Sequence, residues 1–235
     1  MQTLILAGGL AKRIRPLTTN VPKCLIKING IPFIDYQLKY LSKQGIKDVI
    51  LCLGYLGDQV IDYLKNSSKY GININFVKDG KSLLGTGGTI HNAHKFLEDH
   101  FMIIYGDSFL PINIKLVLKK VKKSNKSSLM VIIKNQNKWD KSNVIFNGKK
   151  IIEYNKNDFS LNMKYIDYGL SILCKKNFLK FCKKMPKFFD LSLYLEELSK
   201  QNDLDYFLTK RRFYEIGSMS GILDFEAYIG SYNEL

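Results

Sequence analysis

Arginine is scarce in this 235-residue chain: Arg13, Arg15, Arg211 and Arg212 stand against 32 lysines, and two of the four share one short loop after the first apolar run. Cysteine is also sparse. Cys24, Cys52, Cys174 and Cys182 lie far apart, with no C-x-x-C pair and no histidine at ligand spacing, which excludes a zinc site or a disulfide framework and leaves buried thiols. The three histidines, His91, His94 and His100, form no triad with a motif serine or cysteine, so nucleophilic catalysis with a histidine base is not expected. No stretch approaches the roughly 18 apolar residues of a membrane span. The opening "MQTLILAGG" lacks a basic targeting region, so the expected location is the cytoplasm. Acid is short relative to base, 21 residues against 36, and the resulting formal charge of +15 suits phosphate-rich partners. The densest basic run, "KLVLKKVKKSNK" (115–126), has no interleaved aromatic residue. It reads as the solvated face of an amphipathic helix, and neither nucleic acid nor a membrane is an expected partner.

What is present is a core. With 46% hydrophobic residues the chain can bury one domain, 1–235. "TLILAG" (3–8), "DVILCLG" (48–54) and "HFMIIYGD" (100–107) are short apolar runs of the kind buried on both faces of a parallel sheet. Helical patterns separate them, including "FIDYQLKYLSKQG" (33–45), which follows Pro32 and ends at Gly45. The expected fold is α/β, a three-layer mainly parallel sheet with right-handed crossovers. From about residue 126 the spacing changes. "SLMVIIKN", "NVIFNG", "KKIIEYN" and "YIDYGLSIL" predict a smaller antiparallel insertion, with a hairpin turn at Asn147 and Gly148. Helices are expected at "KNFLKFCKKM", "LSLYLEELSKQ" and about 219–231.

Ligands of open α/β sheets sit at the carboxyl ends of strands. "AGGLAKR" follows the first strand, so Gly8 and Gly9 let the backbone approach an anion while Arg13 forks onto phosphate oxygens. Neither the Walker A spacing nor the dinucleotide fingerprint is met. Lys23, in "VPKCL", is placed to return toward the same phosphates. "LLGTGGTIHNA" (83–93) is a second glycine-rich loop, suited to a base or ribose, or else a helix start capped by Thr86 or Thr89. Asp107, in "IIYGDSF", follows a buried strand and suits Mg²⁺, a hard cation held by one or two carboxylates and substrate phosphates.

"LAGGLAKRIRPLT" with Pro22-Lys23 resembles the L-A-G-G-x-[GA]-[TS]-R-[LI]-x-P-L-T … P-K signature of the sugar-phosphate nucleotidyltransferases. The likeness continues in order through "LGTGG", "GDSF", "EYNK", "IDYGLSIL" and "YEIGS". Within that family the chain looks most like mannose-1-phosphate and heptose-1-phosphate guanylyltransferase-like enzymes. The resemblance implies a Rossmann-like, glycosyltransferase-A-like sheet, with residues 1–125 as the nucleotide-binding half and 126–235 as the sugar-phosphate-binding half. It implies that Ala7, Gly8, Gly9 and Arg13 line the nucleotide, that Arg13 and Lys23 do the catalytic work on the phosphates, and that Gly85, Thr86 and Gly88 meet base and ribose. Lys156, Asp167 and Gly169 match the sugar-phosphate contacts, and Asp107 and Glu215 the metal carboxylates. Departures are visible: Lys12 for the usual Thr or Ser, Asn155 and Asn157 around Lys156 in place of E-K-P, and Glu215 for Asp.

A sugar 1-phosphate is already anionic, so attack on the α-phosphorus of a nucleoside triphosphate needs positioning and charge neutralisation more than a general base. The expected partners are those two substrates and Mg²⁺, with homo-oligomerisation open. A chain of this length has no room for the β-helical acyltransferase domain of some relatives, so nucleotidyl transfer alone is expected. A cytidylyltransferase for a non-sugar phosphate such as phosphocholine, and a non-catalytic nucleotide- or nucleic-acid-binding protein, are the competing readings. Pyrophosphate release and product mass distinguish them.

Overall fold

The structure is a computed structural model and describes residues 1–9, 12–65, 68–80 and 82–231. Leu10 and Ala11 of the first motif and Lys81 lie outside the described residues, as does the side chain of Lys12. The chain opens with β1 (Gln2–Ala7), the short β2 (Lys27–Ile28) and β3 (Ile31–Pro32), α1 (Phe33–Lys43), β4 (Asp48–Leu53), α2 (Gly57–Leu64) and β5 (Asn73–Lys78). It continues through α3 (Gly85–Asn92), β6 (His100–Tyr105), β7 (Ser108–Phe109), α4 (Ile114–Val121), β8 (Ser128–Lys134), β9 (Val144–Phe146), β10 (Ile151–Tyr154) and β11 (Tyr165–Cys174). The last elements are α5 (Lys175–Cys182), α6 (Leu191–Lys200), β12 (Leu204–Thr209), β13 (Tyr214–Glu215) and α7 (Met219–Gly230). The fold is α/β and Rossmann-like. Two compact units interleave along the sequence: Met1–Leu83, Ile104–Phe109 and Phe213–Leu235 form the first, Leu84–Ile103 and Leu110–Arg212 the second. Residues 84–103 and 110–125 therefore fall in the same unit as residues 126–212, and residues 213–235 fall in the first.

In the first unit β1 runs parallel to β4 and β4 to β5, in the registers Ala7↔Leu53 and Leu53↔Lys78. The carboxyl ends of the three strands thus coincide. The side chains of β1 and β4 are mostly apolar because both sheet faces are covered there, and Leu4, Ile5, Val49, Ile50, Leu51 and Leu53 are fully buried. α1 ends as the spacing predicts, with Gly45 at φ +85° accepting the left-handed turn that other residues resist. A separate cluster joins Ile14, Ile26, Ile28, Phe33, Tyr36, Phe109, Ile216, Ile222 and Phe225. Phe225 is its centre, edge-on to Phe33 at 5.1 Å and to Tyr36 at 5.5 Å, and 5.1 Å from Phe109. This cluster sets the site, because Ile14 directly follows Arg13, Ile216 directly precedes Gly217, and Phe109 lies two residues beyond Asp107.

In the second unit β8 pairs antiparallel with β11 and parallel with β12, while β9 pairs antiparallel with β10 and β11. The expected turn is present: Gly148 has φ +88°, and Asn147 Oδ1 accepts from the amides of Lys149 and Lys150. α4 is the amphipathic helix expected, capped by Asn113. Sequence periodicity does not predict β5 or β12. "NINFVK" alternates asparagine with apolar residues and "LDYFLT" mixes an acid with aromatics, so neither reads as a continuous apolar run.

Candidate active site

Each sheet-end loop of the first unit is shaped by close backbone approach. A Cβ on Gly54 would lie 2.6 Å from the carbonyl oxygen of Gly8, and one on Gly106 would lie 2.7 Å from Cβ of Ala7. The Gly106 amide donates to Leu6 O at 2.9 Å. Beyond β1, the 3-10 turn Lys12–Ile14 buries Ile14 in the aromatic cluster, and the neighbouring Arg13 is exposed. A second 3-10 turn, Lys23–Leu25, starts after Pro22, whose extended ψ of 143° ends the preceding segment, and buries Cys24 beside Lys23. Burial pushes the Cys24 thiol up to about 12, so it remains protonated and inert.

These turns bring the predicted residues together. Lys23 Nζ lies 2.9 Å from Asp107 Oδ2, and Ser108 Oγ donates to Asp107 Oδ1 at 3.2 Å. The Ile216 amide donates to Asp107 O at 2.9 Å, continuing the β7–β13 ladder and carrying Gly217 over the carboxylate. The three atoms nearest to a Cβ on Gly217 would be Arg13 Nη2 at 3.4 Å, Lys23 Nζ at 3.8 Å and Asp107 Oδ2 at 4.0 Å. Two cations and a carboxylate thus surround a point that this glycine leaves empty of side chain. Glu215 is exposed on β13 opposite Ser108, and its carbonyl abuts Gly221 in the first turn of α7. Among the described residues no three His, Cys, Asp or Glu side chains form a metal-binding group. Asp107 offers hard oxygens of the carboxylate-plus-substrate kind that Mg²⁺ accepts.

The other predicted residues lie in the second unit. Lys156 Nζ is 3.5 Å from Asp190 Oδ2. Asp167 receives the Gly169 amide on Oδ1 at 2.9 Å, and its own amide donates to Asn143 Oδ1 at 2.9 Å. Gly169 has φ +86°, a conformation suited to glycine. Burial pushes the Asp167 carboxyl up to about 6, with the Gly169 amide and the Lys156 charge partly offsetting the shift. Burial also acts against the charge of Asp190, but the Ser192 amide and Lys156 prevail and hold it below the usual carboxylate range. The second glycine-rich loop is packed against protein. A Cβ on Gly85 would lie 2.5 Å from Phe189 O, one on Gly87 would strike the Phe189 ring, and one on Gly88 would strike Lys187 O. The Gly87 and Gly88 amides donate to Phe189 O at 3.0 and 3.2 Å. Thr86 does not cap α3; its Oγ1 accepts from the Leu191 amide at 2.8 Å.

Residues 2–145 match the family described as Nucleotidyl transferase. The chain belongs to that family. It is 35% identical over 141 residues to D-glycero-alpha-D-manno-heptose 1-phosphate guanylyltransferase of Campylobacter jejuni, covering 60% of this chain and 61% of that one. The enzyme of the same name from Aneurinibacillus thermoaerophilus is 30% identical over 220 residues, 92% of this chain and 93% of its own. Choline-phosphate cytidylyltransferase of Streptococcus pneumoniae is 47% identical over 76 residues, 32% of each chain. Among solved structures, HddC from Yersinia pseudotuberculosis superposes with a TM-score of 0.78 at 26% identity, covering 97% of this chain and 99% of that one.

In this nucleotidyl transferase two residues of the first unit escape motif reading. Gly217 lies inside "YEIGS", where the acidic residue draws attention, yet the glycine is the position that faces all three charged groups. Asp79 follows β5, and its Oδ2 would lie 3.4 Å from a Cβ on Gly8. The strand-end rule that singles out Gly8 and Asp107 would have found Asp79 had β5 been legible.

Proposed function

We propose that the chain transfers a nucleotidyl group from a nucleoside triphosphate to a sugar 1-phosphate, releasing pyrophosphate, and that the pair used is GTP with a mannose- or heptose-type 1-phosphate. The observation that carries the reading is the convergence of Arg13, Lys23 and Asp107 on the space left by Gly217. Two cationic side chains around an open point suit the phosphates of a triphosphate, where charge grows as pyrophosphate departs. Arg13 forks onto phosphate oxygens, and Lys23, already ordered by Asp107, supplies a second donor. Asp107 would hold Mg²⁺, and the ion, when bound, would neutralise phosphate charge. The acceptor supplies its own anionic nucleophile, so the residues position it and take no proton from it. Lys156 offers the acceptor phosphate a cation, while Asp167 and the left-handed Gly169 offer sugar hydroxyls an acceptor and a backbone amide.

The long alignments to heptose 1-phosphate guanylyltransferases support the choice of base and sugar. The short, more similar stretch shared with a choline-phosphate cytidylyltransferase supports a second reading, CTP with a non-sugar phosphate. Pyrophosphate release with the four ribonucleoside triphosphates and dTTP, against mannose, heptose and glucose 1-phosphates and phosphocholine, decides between them. Turnover confined to GTP with a manno-configured 1-phosphate is expected. Turnover of CTP with phosphocholine alone would establish the second reading, and no pyrophosphate release with any pair would remove both.

A further inference from the structure

We propose that Gln37 is the positioning residue for Asp107, holding the carboxylate where Lys23 and the phosphates of a nucleotide meet it. The inference rests on the nucleotidyl-transfer reading of the same site. Gln37 is buried on α1, four residues after Phe33 of the aromatic cluster. Its Nε2 donates twice, to Tyr105 O at 2.8 Å and to Ser108 O at 2.7 Å. Those carbonyls stand on either side of Gly106 and Asp107, so one amide spans the bend that presents the carboxylate. The orientation of the amide is fixed, because an oxygen in place of Nε2 would face two carbonyl oxygens. Gln37 Oε1 is buried and accepts no hydrogen bond among the described residues. An amide kept in the core with its oxygen unpaired carries a desolvation cost that a methionine of similar length would avoid. What the glutamine supplies against that cost is the pair of donors.

Backbone contacts hold the rest of the bend. The Gly106 amide donates to Leu6 O at 2.9 Å, tying it to β1, and the Ile216 amide donates to Asp107 O at 2.9 Å, tying it to the segment after β13. Gln37 adds the tie to α1. The same helix grips the Lys23 turn: the Phe33 amide donates to Ile26 O at 2.9 Å, the Ile26 amide donates to Lys23 O at 3.1 Å, and Tyr36 Oη donates to Ile28 O at 2.9 Å. The first turns of α1 thus fasten both partners of the Lys23–Asp107 pair, which is 2.9 Å long. Without the two donors the carbonyls of Tyr105 and Ser108 lose their tie to α1, and the peptide planes on both sides of Asp107 are free to rotate. A misplacement of about 1 Å in an aimed group is enough to cost on the order of 10²-fold in rate.

Gln37→Met keeps the length of the side chain and removes both donors. On the metal-free full chain, hydrogen exchange read by mass spectrometry is expected to quicken in residues 104–109 and 213–217. With the substrate pair that the wild type turns over, kcat for pyrophosphate release is expected to fall on the order of 10- to 100-fold, with a comparable rise in the half-saturating Mg²⁺ concentration. The KM for the acceptor is expected to change by about twofold or less, since the acceptor is not bound through this bend. In an Asp107→Asn background the same Gln37→Met step is expected to cost about threefold or less, because a residue that acts through Asp107 then has nothing left to position. Wild-type kcat in a folded Gln37→Met protein, unchanged exchange in residues 104–109, or an equal loss in both backgrounds would overturn the assignment and leave nucleotidyl transfer intact. No pyrophosphate release by the wild type with any pair would overturn both. If Gln37→Met does not fold, Gln37→Glu, of the same shape but accepting only when ionised, goes through the same cycle. Failure of both variants to fold would overturn a positioning role in favour of a structural one.

Discussion

Gly217→Ala separates what a glycine does for the fold from what it does for a substrate. Its φ lies outside the left-handed region, so alanine meets no backbone penalty. The added carbon would stand 3.4 Å from Arg13 Nη2, 3.8 Å from Lys23 Nζ and 4.0 Å from Asp107 Oδ2, ordinary contact distances to the ends of flexible side chains. Stability should therefore change by no more than about 0.5 kcal/mol, which moves the melting temperature of a domain this size by about 2 °C or less. Catalysis should respond differently. A phosphate oxygen bonded to either cation sits about 2.7–2.9 Å from the nitrogen. A methyl carbon at the point facing both nitrogens excludes an oxygen that reaches them together. The loss resembles removal of at least one aimed electrostatic group, on the order of 10²- to 10³-fold in kcat or about 2.7–4 kcal/mol. Differential scanning fluorimetry and a pyrophosphate-release assay on the same preparation give both numbers. Wild-type turnover in a normally melting Gly217→Ala protein would refute the claim that phosphate occupies this point.

Arg13→Ala, Lys23→Ala and Asp107→Asn should each lower kcat by about 10²- to 10³-fold with the fold intact, and Asp107→Asn should also weaken the dependence on Mg²⁺ concentration; both are read in the same assay. Gly85→Ala should act on folding instead: its Cβ would lie 2.5 Å from Phe189 O at φ +71°, so a loss of at least about 1 kcal/mol by urea unfolding without nucleotide is expected. The Asp167 carboxyl sits at about 6 against an ordinary 3.8. The folded state thus binds the proton more readily than the unfolded chain between about pH 4 and 6, and stability falls as pH rises through that window. Melting temperature measured across pH 4–7 should show this slope in the wild type and lose it in Asp167→Asn.

Strand-end reading singles out Arg13, Lys23 and Asp107 before any resemblance is invoked, because each follows an apolar strand or a proline, and such punctuation is written locally. What the chain does with its glycines was less legible. In "LGTGG" the need for glycine comes from Phe189 and Lys187, about a hundred residues later, which press on positions 85, 87 and 88 from outside the loop. No window of sequence contains both sides of that contact. Gly217 was hidden for the converse reason. Its lack of a side chain matters only because Arg13, Lys23 and Asp107 converge on it, and that convergence is set by segments far apart in sequence. β5 and β12 failed to register because asparagine and acidic residues interrupt their apolar pattern, and Asp79 was missed with β5. Residues whose role is set by their neighbours in sequence could be read, and residues whose role is set by a distant segment needed coordinates. Gly85→Ala and Gly217→Ala put this to the test, since both remove a glycine from a family motif. If both damaged folding, or both spared it while abolishing turnover, the division drawn here between packing glycines and substrate-facing glycines would fail.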